Sequence, residues 1–121
     1  MVVIDSSGWI EFFTGSPKAG SYSKYLKHPE NLLTPTIVLY EVYKKIKRER
    51  GEETAKLCAA QIEKTHVTPL DPALAFRAAD LSLQYSLPMA DAFVLATARS
   101  AGAELITSDR DFQGIPGVTV L

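Results

Sequence analysis

The chain opens with Met1-Val2-Val3-Ile4-Asp5-Ser6-Ser7-Gly8, a short apolar run that ends in an aspartate and two serines. A short, unalternating and β-branched run of this kind predicts a strand buried on both faces, as at the centre of a parallel sheet. In open α/β sheets, ligands bind beyond the carboxyl ends of the strands. We therefore expect Asp5 at the edge of the sheet where chemistry takes place.

The rest of the chain alternates runs of strand length with amphipathic runs of helix length. Further strands are predicted at 32–34, 66–70 and 103–107, with 118–120 as a fifth candidate, and helices at 7–13, 18–27, 36–50, 52–64, 72–85 and 89–101. Pro69 indicates that the third strand lies at a sheet edge. The alternation predicts a three-layer α/β/α sandwich around a central parallel sheet of four to five strands.

Size and composition favour a single globular domain, residues 1–121. The hydrophobic content of 46% is that of an ordinary globular chain. A strand at Met1 leaves no room for a signal peptide, and no run approaches the ~20 apolar residues of a membrane span, so we expect a soluble, cytoplasmic protein. The single cysteine, Cys58, excludes a disulfide framework and a thiolate metal site.

Charge is nearly balanced, with 13 basic and 14 acidic residues, so the overall field does not favour nucleic acid. Basic side chains are nevertheless concentrated on one predicted helix. They are Lys44, Lys45, Lys47, Arg48 and Arg50. This cluster is either a surface that binds RNA phosphates or an ordinary solvated helix face.

Four acidic residues stand near the carboxyl edge of the predicted sheet or at the start of a helix that leaves it: Asp5, Glu41, Asp91 and Asp109. Each has an ordinary explanation, because Glu41 can pair with Lys45 and the aspartates can stabilise helix starts. If all four meet in one crevice, their charges repel and their pKa values rise, and a divalent cation relieves that conflict. Carboxylates without a His or Cys cluster suit Mg²⁺ or Mn²⁺ rather than zinc.

Other catalytic arrangements fit the sequence less well. His28 and His66 are isolated, and neither a Ser-His-Asp set nor a glycine-rich phosphate loop can be assembled. A receiver domain needs a lysine where Thr107-Ser108-Asp109 stands, and a dehalogenase-type phosphotransferase needs an aspartate where the chain has Ser7. Metal-assisted hydrolysis of a phosphodiester is what remains.

These motifs together resemble the PIN-domain ribonucleases, and in particular the VapC toxins of toxin-antitoxin pairs. The resemblance covers nearly the whole chain. It is carried by Val3-Ile4-Asp5-Ser6-Ser7, by Glu41, by Pro88-Met89-Ala90-Asp91-Ala92-Phe93 and by Leu105-Ile106-Thr107-Ser108-Asp109-Arg110-Asp111-Phe112. It implies a PIN-like fold and an endoribonuclease, dependent on Mg²⁺ or Mn²⁺, that arrests translation or growth.

The resemblance also implies roles for individual residues. The implied catalytic acids are Asp5, Glu41, Asp91 and Asp109. The implied metal-binding residues are Asp5, Asp91 and Asp109, with Asp5 and Asp91 as direct ligands and with Glu41 and Asp109 acting through water or activating it. The remaining positions are Ser6 and Thr107, whose hydroxyls are expected to hold metal-bound water, and Asp111, a fifth acid without an assigned role.

Partners follow from the same resemblance: an RNA substrate, a cognate antitoxin that shields the site, and a second copy of the chain in a homodimer. The expected RNA contacts are Lys44, Lys45, Lys47 and Arg48. Aromatic residues are frequent in the first two helices, and those not needed in the core are expected to form a groove for an apolar antitoxin helix. These are Trp9, Phe12, Phe13, Tyr22 and Tyr25. The alternative is a non-catalytic PIN-fold module that binds RNA or protein.

Overall fold

The fold was taken from a computed structural model that describes all residues, 1–121. Strands and helices follow each other along the chain. The strands are β1 Val2–Ile4, β2 Leu33–Pro35, β3 His66–Thr68, β4 Glu104–Thr107 and β5 Val118–Val120. The helices are α1 Ser6–Thr14, α2 Ala19–Leu26, α3 Thr36–Arg50, α4 Glu52–Ile62, α5 Pro72–Tyr85 and α6 Met89–Ser100. Short 3-10 turns occupy Pro29–Asn31 and Arg110–Phe112.

All strand pairs are parallel, and β1 is buried as its composition predicts. β4 lies between β1 and β5, and Ile4 is in register with Ile106. Consecutive residues of a strand point to opposite faces, and the neighbours Leu105 and Ile106 are both fully buried. Helices therefore cover both faces of the sheet, which confirms the three-layer α/β class.

The expected continuous sheet is divided. β1, β4 and β5 form one ladder and β2 and β3 form another, joined only by a bridge between Val2 and Leu32. In that register the next pair, Ile4 and Thr34, would need a hydrogen bond from the amide of residue 35. Pro35 has no amide hydrogen, so the ladder ends after one bridge. β3 pairs only with β2 and is an edge strand, as Pro69 indicated.

Helix ends follow from local chemistry. The Asp5 side chain accepts a hydrogen bond from the Ser6 amide and caps α1, which ends at Gly15 in the left-handed conformation (φ 68°). α3 buries Val38, Val42 and Ile46, which are spaced four residues apart and form an apolar stripe along the helix. No helix of the structure combines the length and the apolar character that crossing a membrane requires.

Candidate active site

Asp5 stands where β1 ends and α1 begins, and it is only 2% exposed. Its Oδ1 accepts a hydrogen bond from the Ser6 amide at 2.7 Å, and its Oδ2 accepts one from the Thr107 hydroxyl at 2.8 Å. Burial raises the pKa of the Asp5 carboxyl above its ordinary value, although these hydrogen bonds oppose the rise. A carboxylate held in this way is oriented before any ligand arrives.

Asp109 reaches the same edge because β4 is the neighbour of β1. Thr107, the last residue of β4, accepts a hydrogen bond from the Asp109 amide at 2.9 Å while its hydroxyl donates to Asp5. Asp109 in turn caps the following 3-10 turn by accepting from the Asp111 amide at 2.9 Å. One threonine hydroxyl thus connects the two strand ends that carry acids.

Asp91 enters from the other direction, in the first turn of α6, a helix that contacts β1, β2 and β4. Carboxylate oxygens of Asp5, Asp91 and Asp109 all lie within 4.8 Å of one another. We call these three residues the acidic trio. Burial, followed by the charges of Asp5 and Asp109, raises the pKa of Asp91 to about 7.

Glu41, on α3, faces the acidic trio without joining it. Burial and then the charge of Asp5 raise the pKa of its carboxyl. Glu41 does not pair with Lys45, which instead contacts Glu49 with an Nζ to Oε1 distance of 3.4 Å. The ordinary explanation of Glu41 as half of a surface ion pair is therefore wrong.

The four acids line one open cavity of about 410 Å³. Its walls are formed by Asp5, Ser6, Ser7, Ile10, Glu11, Glu41, Lys45, Asp91 and Asp109. Lys45 is the only cationic residue among them. The three ion pairs of the protein, His28–Glu30, Lys45–Glu49 and Lys47–Glu52, leave all four acids without a basic partner. Oxygen-only donors that repel one another and lack a counter-ion fit a hard divalent cation.

The hydroxyls are arranged differently from the sequence prediction. Thr107 is fully buried, and its hydroxyl hydrogen-bonds to the Asp5 carboxylate and to the Asp109 amide. The hydroxyl therefore does not face the cavity. Ser6 does line the cavity. Ser7 was not among the predicted site residues, yet its hydroxyl donates to Asp5 at 3.3 Å and accepts from the Ser108 amide at 3.1 Å. Its position two residues after a strand-end aspartate was the available indication.

The remaining predicted positions are spread over the surface and the core. Asp111 is exposed, and its charge is the smallest of the contributions that raise the pKa of Asp91. In the basic cluster, Lys44, Lys47 and Arg48 are exposed on α3, and only Lys45 reaches the acidic cavity. The basic cluster therefore begins at the mouth of the cavity and continues away from it.

Two of the five aromatic residues expected in a partner groove are core residues. Trp9 is 3% exposed and Tyr22 is 0% exposed, so neither offers surface to another protein. The expectation is wrong for both, because the short helices α1 and α2 need large side chains to fill the space under them. Phe12, Phe13 and Tyr25 are half-buried and pack against the core.

Comparison with known proteins places this chain in a family. The family model of the PIN domain matches residues 2–118. No curated protein matches the sequence significantly.

Solved structures match nearly the whole fold. A toxin-antitoxin complex from Klebsiella pneumoniae is 27% identical, with a TM-score of 0.83 over 99% of this chain and 97% of that one. VapC20 from Mycobacterium tuberculosis, a Sarcin-Ricin loop cleaving toxin, is 20% identical, with a TM-score of 0.79 over 96% and 95%. DNA-bound VapBC from Salmonella typhimurium is 17% identical, with a TM-score of 0.79 over 100% and 98%. The family match spans nearly all residues and includes the four acids, and this chain belongs to the PIN-domain family.

Proposed function

We propose that this protein is a metal-dependent endoribonuclease that hydrolyses RNA phosphodiester bonds as the toxin of a type II toxin-antitoxin pair. The observation that carries the proposal is the acidic trio, whose carboxylate oxygens lie within 4.8 Å without a basic partner. Such proximity is costly in a bare protein and favourable around a dication. Family membership supports nuclease chemistry at this place in the fold.

The residues take separate roles in this proposal. Asp5, Asp91 and Asp109 hold the ion, Mg²⁺ or Mn²⁺, which when bound supplies positive charge against the phosphodiester and lowers the pKa of a coordinated water. Glu41, half-buried across the cavity, accepts a proton from the attacking water. Thr107 and Ser7 orient Asp5 through hydrogen bonds. Ser6, on the wall of the cavity, is placed to donate to water near the ion.

RNA is the substrate that the surface favours. The basic cluster of α3, with Lys44, Lys45, Lys47 and Arg48, offers ammonium and guanidinium groups to a phosphate backbone next to the acids. Single-stranded loops suit an open cavity, because their bases can be splayed away from the scissile phosphate. One structural relative is itself described as a toxin that cleaves the Sarcin-Ricin loop.

The cognate partner in this proposal is an antitoxin protein, and the active form is a homodimer. Support for the antitoxin comes from relatives solved as toxin-antitoxin or VapBC complexes. Phe12, Phe13 and Tyr25 retain partial exposure on α1 and α2, and they are the aromatic residues still available to an apolar segment of such a partner.

The direct test is cleavage of RNA by the purified protein with Mg²⁺, with Mn²⁺ and with a chelator. Wild type is expected to cut only with metal, and Asp91→Asn is expected to be inactive at the same metal concentration. Asp80→Asn, an exposed acid on α5, is the matched control and should cut normally. Cleavage that survives both the chelator and Asp91→Asn would reject the proposal. Metal-independent RNA binding without cleavage would favour the non-catalytic module instead.

A further inference from the structure

Glu11 lies in the wall of the acidic cavity, but it does not belong to the acidic trio and has no role in the proposed hydrolysis. It is on α1, four residues after Ser7, and both side chains line the cavity from the same face of the helix. Ser7 contacts Asp5, so Glu11 lies one helical turn, or about 6 Å along the axis, further from the trio. The carboxylate of Glu11 therefore faces the space next to the trio.

A single hydrogen bond orients the Glu11 carboxylate. Its Oε2 accepts this bond from the hydroxyl of Ser16, in the turn that follows α1. No other hydrogen bond of the protein reaches the carboxylate, and Glu11 takes part in none of the three ion pairs. Its second oxygen, Oε1, is therefore an oriented acceptor that is free to bind a hydroxyl of a ligand.

The neighbours of Glu11 suit a sugar. Ile10 is the only apolar side chain in the wall of the cavity, and it is adjacent to Glu11. Lys45, the only cation of the wall, lies on a different helix, α3. A ribose has an apolar carbon face and a hydroxyl that donates, whereas a phosphodiester has only acceptors and requires cations. Ile10 and Glu11 match the ribose of a bound strand, and Lys45 matches its phosphate.

Hydrolysis by water leaves the preference for RNA to be explained. A nuclease that uses water as the nucleophile does not need the 2′-hydroxyl for its chemistry. Selection of RNA over DNA then requires a protein group that recognises this hydroxyl. Metal binding and proton transfer account for the other four acids of the cavity wall, and Glu11 is the one charged acceptor that remains free.

We propose that Glu11 accepts a hydrogen bond from the 2′-hydroxyl of a ribose next to the scissile phosphate and thereby selects RNA over DNA. This role rests on the proposed function, because it requires hydrolysis at the acidic trio. The negative charge of Glu11 repels the phosphates of any strand, and a hydrogen bond to a charged acceptor offsets that repulsion only where a 2′-hydroxyl is present. Glu11 is in this sense a specificity-determining residue.

Substrate variants and protein variants together test the contact. The probe is a short single-stranded RNA that wild type cuts with Mn²⁺, compared with the same RNA carrying one 2′-fluoro group, which cannot donate, on the nucleotide 5′ or 3′ of the cut. At one of these positions the fluoro group should lower kcat/KM of wild type about 10- to 100-fold, the effect of one hydrogen bond to a charged acceptor. Glu11→Ala should cut the two substrates equally well. Glu11→Gln keeps an acceptor without the charge and should retain part of the preference.

Controls separate recognition from structure and from metal binding. Ser16→Ala removes the hydrogen bond to Oε2 and keeps the carboxylate, so it should reduce the preference less than Glu11→Ala does. Glu53→Gln, an exposed acid on α4 outside the cavity, should show the wild-type preference. Mn²⁺ should raise the unfolding temperature of Glu11→Ala as much as that of wild type, because the trio is intact.

A preference for the ribose substrate that persists in Glu11→Ala would overturn this role of Glu11, and so would a wild type without any preference. Loss of the Mn²⁺ shift in Glu11→Ala would also overturn it, because Glu11 would then be a metal ligand. In each case the proposed function stands if wild type cuts the all-ribose RNA with Mn²⁺ and not with a chelator. A wild type that cuts no RNA would reject the proposed function and the role of Glu11 with it.

Discussion

The hydroxyl of Thr107 donates a hydrogen bond of 2.8 Å to the carboxylate of Asp5, which is 102 residues away in the sequence. The same hydroxyl accepts a hydrogen bond of 2.9 Å from the amide of Asp109. This contact holds together the ends of β1 and β4, the two strands that deliver acids to the cavity. Thr107 is fully buried, and so is its hydrogen bond to Asp5, which water therefore cannot readily replace.

Replacing Thr107 with valine keeps the shape of the side chain and removes its hydrogen bonds with Asp5, with the Asp109 amide and with the Ser7 hydroxyl. We expect the free energy of unfolding to fall by about 1–3 kcal/mol, because the buried Asp5 carboxylate and the partly buried Asp109 amide each lose a partner. RNA cleavage should fall further, by about 10- to 100-fold, since Asp5 and Asp109 lose their fixed orientation. Denaturant unfolding and single-turnover cleavage measure the two effects.

The matched control is Thr119→Val on β5, where the hydroxyl bonds to the exposed Glu104. This change should leave cleavage unaltered. Equal losses of activity in the two variants would mean that Thr107 acts only through general stability.

The pKa of Asp91, raised to about 7, predicts how the metal-free protein responds to pH. Between its ordinary pKa of 3.8 and this value, the folded state holds a proton that the unfolded state has released. The free energy of unfolding is therefore greatest near pH 4 and decreases as the pH rises to about 7. Asp91 is only half-buried, so after solvent screening the loss should be about 1–2 kcal/mol.

Asp91→Asn should abolish this loss, making the metal-free variant more stable than wild type above neutral pH and nearly equal to it near pH 4. Unfolding free energies across that range, measured in chelator, provide the check. A wild type whose stability rises between these pH values would contradict the assignment of Asp91 as a repelled carboxylate.

Much of the fold was predictable because its local patterns are strong. The strand before Asp5, the α3 stripe and the edge position of β3 all depend on composition within a few residues. The division of the sheet was not predictable from local composition. It depends on whether the backbone nitrogen of Pro35, which carries no hydrogen, faces β1 or β3. That side is set only when β3 has paired with β2.

The acids were easier to select than the groups that support them. Asp5, Asp91 and Asp109 stand at strand or helix ends, and sequence position is enough to suggest that they meet. The burial of Trp9 and Tyr22 depends on how α1 and α2 pack, which periodicity over such short helices does not fix. The pairing of Lys45 with Glu49 rather than Glu41 is a choice between two positions, each one turn away.

Divalent ions should stabilise the wild type and should not stabilise a protein that lacks one trio carboxylate. At a concentration 100 times the dissociation constant, Mn²⁺ should add about 2.7 kcal/mol to the free energy of unfolding. Mn²⁺ should add little to the stability of Asp91→Asn. In chelator above neutral pH the variant should be more stable than wild type, and with Mn²⁺ it should be less stable. Thermal unfolding titrated with Mn²⁺, with Ca²⁺ as a comparison ion, measures this. Equal shifts of the unfolding temperature in the two proteins would mean that the ion does not bind at the acidic trio.

Tyr22 connects the helix layer to the turn that carries Asp109. Its hydroxyl hydrogen-bonds to Ser108, and its ring lies so close to Gly8 that an added Cβ there would be 2.4 Å from a ring carbon. Tyr22→Phe keeps the ring and loses the hydroxyl, so we expect a stability loss of about 1 kcal/mol. Weaker Mn²⁺ binding at unchanged RNA affinity should accompany it.

Tyr25→Phe on the same helix is the control, because no hydrogen bond of the Tyr25 hydroxyl is present to be lost. Gly8→Ala should destabilise by about 1–3 kcal/mol through overpacking against Tyr22. If Tyr22→Phe lowers stability yet leaves the Mn²⁺ titration unchanged, Tyr22 is a packing residue only.

Lys45 is the one cationic side chain in the wall of the acidic cavity, and its partner Glu49 holds it by an exposed contact of 3.4 Å. An exposed pair is weak, so the ammonium can leave Glu49 for an RNA phosphate at little cost. Lys45→Ala should therefore weaken single-stranded RNA binding and reduce the slope of log affinity against log salt by about 0.7, the value for one phosphate contact. Filter binding over a salt series, without metal and with Asp91→Asn present in both proteins, measures the contribution of Lys45 to RNA affinity without interference from cleavage. Lys64→Ala, at an exposed position just after α4 and outside the cavity, should leave the slope unchanged. A slope for Lys45→Ala equal to that of the protein with Lys45 would show that Lys45 does not contact an RNA phosphate.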